Sequence, residues 1–201
     1  MRSANPKRVN EFWHWFESFS DSLAESVTSS ELISQVDERV RALNPKLSWE
    51  IGPGKKKPWQ LVISPDMDRN LRQEAQEIVA LAPALPKWEF YSARQAKVWN
   101  YRFSLRRLDG SEVHVDASSW TFVLLRYPDK TCEVLLKAAD LRELDDVQRS
   151  HAATIVLESI LGEDMVLNAI DRFELVDRLD VRFEQKARPI QHLHHAFAAS
   201  C

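Results

Sequence analysis

Two stretches of this chain share one pattern. Ala42-Leu43-Asn44-Pro45-Lys46-Leu47-Ser48-Trp49-Glu50-Ile51 and Ala80-Leu81-Ala82-Pro83-Ala84-Leu85-Pro86-Lys87-Trp88-Glu89-Phe90 both read Ala-Leu-x-Pro-x-Leu, then Trp-Glu and an apolar residue. A single insertion, Pro86, aligns them. Proline lacks a backbone N–H and biases the residue before it away from the helical region, so each stretch ends a helix and hands the chain to a strand. Two such corners are either an internal repeat or the same problem solved twice. In both cases they constrain the first half to helices that alternate with strands.

The periodicity around the corners supplies the elements. Phe12, Trp15, Phe16, Phe19 and Leu23 fall on one stripe of a helix expected over Asn10–Leu23, with Trp13 at its edge and His14 opposite. A second helix is expected over Glu31–Leu43, capped by Ser29 or Ser30, with Leu32, Val36, Val40 and Leu43 facing inward. Leu47–Ile51 alternates as a strand, and Gly52–Pro58 is a loop by composition. Trp59–Ser64 is nearly continuously apolar at its centre, which places it in the middle of a sheet. A third helix over Met67–Leu81 and a strand over Trp88–Arg94 complete an α-β-β-α-β order. That order matches the last five elements of the ferredoxin-like β-α-β-β-α-β plait.

The second half reads as strands followed by helices. Trp99, Tyr101, Phe103 and Leu105 alternate with polar residues, as do Val113, Val115 and Ala117. A three-residue turn, Leu108-Asp109-Gly110, pairs Leu105 with Val113 and Phe103 with Val115, whereas a two-residue turn would mix the faces. The same register sets Arg106 beside Glu112, Ser104 beside His114 and Arg102 beside Asp116. Trp120–Tyr127 and Cys132–Lys137 form a second hairpin around Pro128-Asp129-Lys130-Thr131. Asp145 or Asp146 caps a long helix to Leu161, and Gly162 stops it. A short helix over Glu163–Ala169, a strand over Arg172–Val176 and a terminal helix over Pro189–Ala198 follow. Arg178–Lys186 is charged and gives no clear element. The expected class is α+β, an antiparallel or mixed sheet with helices mainly on one face. It forms one compact domain over 1–201, with possible halves 1–96 and 97–201.

Composition narrows the function classes. The net charge of −3 carries no basic stripe for nucleic acid or an anionic membrane surface. Four glycines leave little material for phosphate-cradling loops, and Gly54-Lys55-Lys56-Lys57 lacks phosphate-loop spacing. Cys132 and Cys201, the only cysteines, make no disulfide framework. With no apolar run at the N-terminus and none of spanning length, the expected compartment is cytoplasmic. Neither a cofactor nor a metal is expected. The His192, His194 and His195 cluster lacks a carboxylate to complete a set, and Asp116 next to Arg102 is a poor metal ligand beside His114. His151 and Glu158 are two helical turns apart, too far for a direct acid–base pair.

Two candidate sites remain. If Trp49 and Trp88 face the core, Glu50 and Glu89 share the other sheet face with Tyr91, Arg94 and Gln95. Paired carboxylates there suit acid/base work or the binding of a cation, unless Arg94 pairs with one of them. The other candidate is an interaction surface: Trp13 and Trp15 on the aromatic N-terminal helix, and the Lys55, Lys56 and Lys57 run as a docking patch for an acidic partner.

Phe12-Trp13-His14-Trp15-Phe16, Leu43-Asn44-Pro45 with Trp49-Glu50-Ile51-Gly52-Pro53, Leu61-Val62-Ile63-Ser64-Pro65, and Trp88-Glu89-Phe90 through Arg94-Gln95 together resemble a family of soluble bacterial proteins. The resemblance implies a bacterial, single-domain protein and contributes no catalytic residue. The leading expectation is a non-enzymatic protein-interaction module of a bacterial cytoplasm, of which immunity or antitoxin-like proteins are one form. The alternative is a small-molecule-binding protein or enzyme built on Glu50, Glu89, Tyr91 and Arg94.

Overall fold

The first helix, α1 (Pro6–Glu25), starts earlier than its apolar stripe indicates because a cap, not the stripe, sets its end. The Asn5 side chain accepts from the N–H groups of Lys7 and Arg8, and Pro6 occupies the first turn, where a missing N–H costs nothing. Val9, Phe12, Trp13, Phe16 and Leu23 are buried along its inner side. The whole chain, seen in a computed structural model, is described over residues 4–26, 29–107, 109–129, 131–139 and 144–198. The expected turn residues Leu108 and Lys130, and Cys201, lie outside them. Two compact units emerge, Met1–Arg94 and Gln95–Cys201.

In the first unit, α2 (Ser30–Leu43) ends at the Asn44-Pro45 stop and leads into β1 (Ser48–Pro53). β2 (Trp59–Ser64) is the central strand of a three-stranded sheet, between β1 and β3 (Trp88–Tyr91). β1 runs antiparallel to β2, and β3 parallel. The crossover from β2 to β3 carries α3 (Arg72–Ala80). In a split βαβ plait another strand would separate these parallel strands. Here β2 and β3 pair directly, Trp59 with Trp88 through Val62 with Tyr91. The α-β-β-α-β order is present, but the place of a plait's inserted strand is closed.

Register settles the two sheet faces. Ile51, Leu61 and Phe90 form one row, with Trp49, Ile63, Trp59 and Trp88 beside them, all packed into the core with α1, α2 and α3. The opposite face carries the rows Glu50–Val62–Tyr91 and Gly52–Gln60–Glu89. Phe16 sits edge-on to both Trp88 and Phe90 and is fully buried, which stabilises by roughly 1.5–3 kcal/mol. The third helix does not begin at Met67. Asp66 and Met67 are left-handed, with φ of 52° and 63°, so the chain first makes a 3₁₀ turn at Arg69–Leu71 capped by Asp68.

In the second unit, β4 (Arg102–Arg106) and β5 (Glu112–Asp116) pair as the side-chain alternation requires, Phe103 with Val115 and Leu105 with Val113. Gly110 takes a φ of 84° in the turn between them. The strand does not extend back to Trp99, because Tyr101 is left-handed and breaks the pleat. β6 (Thr121–Arg126) and β7 (Cys132–Lys137) form the second hairpin. α4 (Asp146–Leu161) begins with a full capping box between Asp145 and Gln148. After α5 (Glu163–Ala169), β8 (Ile170–Val176) adds parallel to β7. The charged segment that follows contains one turn of helix, α6 (Val181–Glu184). The expected terminal helix is shorter than its proline start suggests. Arg188–Pro189 is a strand, β9, then comes a 3₁₀ turn, then α7 (Leu193–Ala198). The sheet order is β8-β7-β6-β9. Among the described residues no helix is long and apolar enough to cross a membrane.

Candidate functional site

Glu89 lies on the sheet face away from the core, and the protein itself fills its hydrogen-bonding capacity. The loop after β1 folds over it. The Lys55 N–H donates to Oε2 at 2.7 Å, and those of Lys56 and Lys57 donate to Oε1 at 2.7 and 3.1 Å. The Tyr91 hydroxyl donates to Oε2 at 3.1 Å. Three successive N–H groups aimed at one point form a nest, the arrangement that elsewhere captures a free anion. Here the anion is the chain's own carboxylate. Partial burial raises the Glu89 pKa, but the N–H groups of Lys55, Lys56 and Lys57 and the Tyr91 hydroxyl together outweigh it and hold the pKa below the usual value. Burial and the adjacent Glu89 charge raise that of Tyr91.

Gly54 lets the nest close. A Cβ there would overlap the Lys57 carbonyl oxygen, and would lie 2.9 Å from that of Trp59 and 3.0 Å from Glu89 Oε2. The lysine run is therefore first a backbone device. Lys57 Nζ turns inward to the Leu85 carbonyl at 2.7 Å, while Lys55 and Lys56 are exposed.

The other sheet-face candidates are spread out. Arg94 Nη2 donates to Ser48 Oγ at 2.7 Å and to Asp66 Oδ1 at 2.8 Å, tying the left-handed loop to the start of β1. Glu50 and Tyr91 flank Val62 from opposite sides, about 10 Å apart as two strand spacings. Gln95 opens the second unit. The structure joins Glu89 with Tyr91 and places Arg94 in a different contact.

The aromatic helix is likewise internal. Trp13 is 4% exposed, and its indole N–H donates to the Ile78 carbonyl at 2.7 Å. It belongs to the core and is no surface anchor. Trp15 is half-buried, stacked on Phe19 at 4.7 Å and lying under the Arg39 guanidinium at 5.2 Å.

The remaining polar candidates are structural. Ser104 meets His114 at 2.8 Å and Arg102 meets Asp116 at 2.8 Å, as the register requires. Hydrogen bonds from Ser118, with the Arg102 guanidinium, lower the Asp116 pKa to about 2. Among the described residues no three His, Cys, Asp or Glu side chains are placed to hold a metal ion. Cys132 is buried.

Sequence reasoning missed a groove in the second unit. A cavity of about 600 Å³ lies along β6, lined by Phe122, Val123, Leu124 and Arg126 on one side and by the 185–188 segment, His195 and Ala196 on the other. Among the described residues, Arg126, Lys186, Arg188 and His195 are its charged and titratable groups, and no carboxylate lines it. The missed signal is the spacing Lys186-Ala187-Arg188, a basic pair in the charged stretch just before Pro189.

No protein-family model, curated protein or solved structure matches this chain.

Proposed function

We propose that the chain is a non-enzymatic interaction protein that binds a partner through the second unit, at the exposed edge of β6. One observation supports this most. β9 pairs with β6 only at Thr121 and Phe122, leaving the rest of that edge facing the basic groove. An unpaired strand edge is a ready template for another chain. The carboxylate-based alternative loses support, because Glu89 is saturated by four donors from its own chain. The narrower version, an immunity or antitoxin-like protein of a bacterial cytoplasm, adds that the complex is stable and stoichiometric.

The test uses the full chain, tagged and added to an extract of the source cells at physiological salt. The expected result is a second protein that co-elutes on size exclusion at a fixed ratio. Recovery of the chain alone, under conditions where a control complex survives, would remove this reading.

A further inference from the structure

We infer that the groove beside β6 takes an acidic, extended peptide segment of a partner, which adds to the sheet as a strand. The inference rests on the interaction reading above and names the chemistry of its partner.

The backbone supplies the first part. In an antiparallel ladder, alternate residues turn their N–H and C=O groups to one neighbour, and the residues between turn theirs to the other. Tyr127 N–H donates to the Thr131 carbonyl, so Thr121, Val123 and Leu125 serve β7. Ile190 N–H donates to the Trp120 carbonyl, so Phe122 serves β9, paired with Arg188. By the same alternation Leu124 and Arg126 point their backbone groups to the side where β9 would have continued.

β9 does not continue. The N–H groups of Lys186 and Ala187 bond back to the carbonyls of Phe183 and Glu184, which curls the segment into its own turn. The cavity lies where the two segments separate.

The side chains supply the second part. Arg126, at the end of β6, is held toward α7 by a 2.7 Å bond to the Ala196 carbonyl and lies over the Phe197 ring. Lys186 and Arg188 are exposed on the 185–188 segment, and His195 is exposed on α7. Glu184, the carboxylate next in sequence, is engaged by Lys137 at 3.8 Å. A strand entering here meets donors and acceptors at Leu124 and Arg126, apolar surface from the half-buried Leu124, and three permanent cations. Acidic side chains at alternate positions of that strand complement them.

The test uses the full purified chain and a labelled, acetylated hexapeptide of alternating Glu and Val. Fluorescence anisotropy is expected to show saturable binding that weakens steeply with salt. The amide resonances of Leu124 and Arg126 should shift and gain exchange protection. The Lys-Val counterpart should not bind. Lys186→Glu with Arg188→Glu should weaken binding about ten-fold or more. Leu124→Pro, which removes an edge-facing N–H together with the leucine side chain, should weaken it while retaining the β6–β7 hairpin. If this variant does not fold, a Glu-Val peptide N-methylated at alternate residues tests the same bond from the other side.

Equal binding of both peptides, or unmoved Leu124 and Arg126 amides, would overturn the inference. So would inorganic phosphate reproducing every shift without edge protection, which would mark a small-anion site. A cellular partner that binds the double charge-reversal variant as tightly as wild type defeats this inference and leaves the interaction reading standing.

Discussion

Replacing Trp13 separates a core role from a surface role for the aromatic helix. Its side chain is 4% exposed, meets Phe12, Phe16 and Phe90 edge-on at 4.8–5.9 Å between ring centres, and donates to the Ile78 carbonyl. Trp13→Ala removes this packing and leaves a cavity, a change that costs about 3–5 kcal/mol for a buried aromatic. The unit concerned spans Met1–Arg94. With an unfolding entropy of about 2.1 cal/mol/K per residue, that loss lowers its Tm by roughly 15–25 °C.

Trp15 is the internal control. It is half-buried and lies against Phe19 and Arg39, so Trp15→Ala should cost about 1–2 kcal/mol. Far-UV circular dichroism melts of the two variants and wild type compare them directly. If Trp13→Ala melts no lower than Trp15→Ala, then Trp13 is not a core residue and the packing argument fails. A folded Trp13→Ala protein that loses only partner binding would restore the surface reading.

Two further predictions concern the Glu89 nest. Glu89→Gln should lower the urea midpoint at pH 7. The folded-state pKa of Glu89 is held below its ordinary 4.5, so the carboxylate's contribution is present above that value and is lost as pH falls below it. The midpoints of the two proteins should therefore converge as pH falls below 4.5, and a gap that stays constant with pH would refute the nest. Gly54→Ala forces a Cβ against two carbonyl oxygens and should cost about 1–3 kcal/mol. Faster amide exchange at Lys55, Lys56 and Lys57 should accompany it, and wild-type exchange there would show that the loop accommodates the methyl group.

The sequence alone determined what rests on short-range rules. The proline stops placed both helix-to-strand corners, because the loss of an N–H acts on the residues beside it. Side-chain alternation and one turn glycine determined the β4–β5 register, including the Arg102–Asp116 and Ser104–His114 pairs. The continuous apolar run marked β2 as central.

Tertiary structure decided what depends on backbone groups far apart in the chain. Glu89 looked like a free carboxylate because its donors are main-chain N–H groups 32–34 residues earlier, and side-chain patterns carry no record of those. Trp13 looked like the edge of a stripe until β3 brought Phe90 against it and widened the buried face. The plait was closed when β2 and β3 paired directly, a choice of neighbour that element order does not encode. The groove beside β6 exists because the chain before β9 curls into its own turn and joins β6 only at Arg188. Its basic walls come from segments about sixty residues apart in sequence, so only folding brings Arg126 to face Lys186 and Arg188.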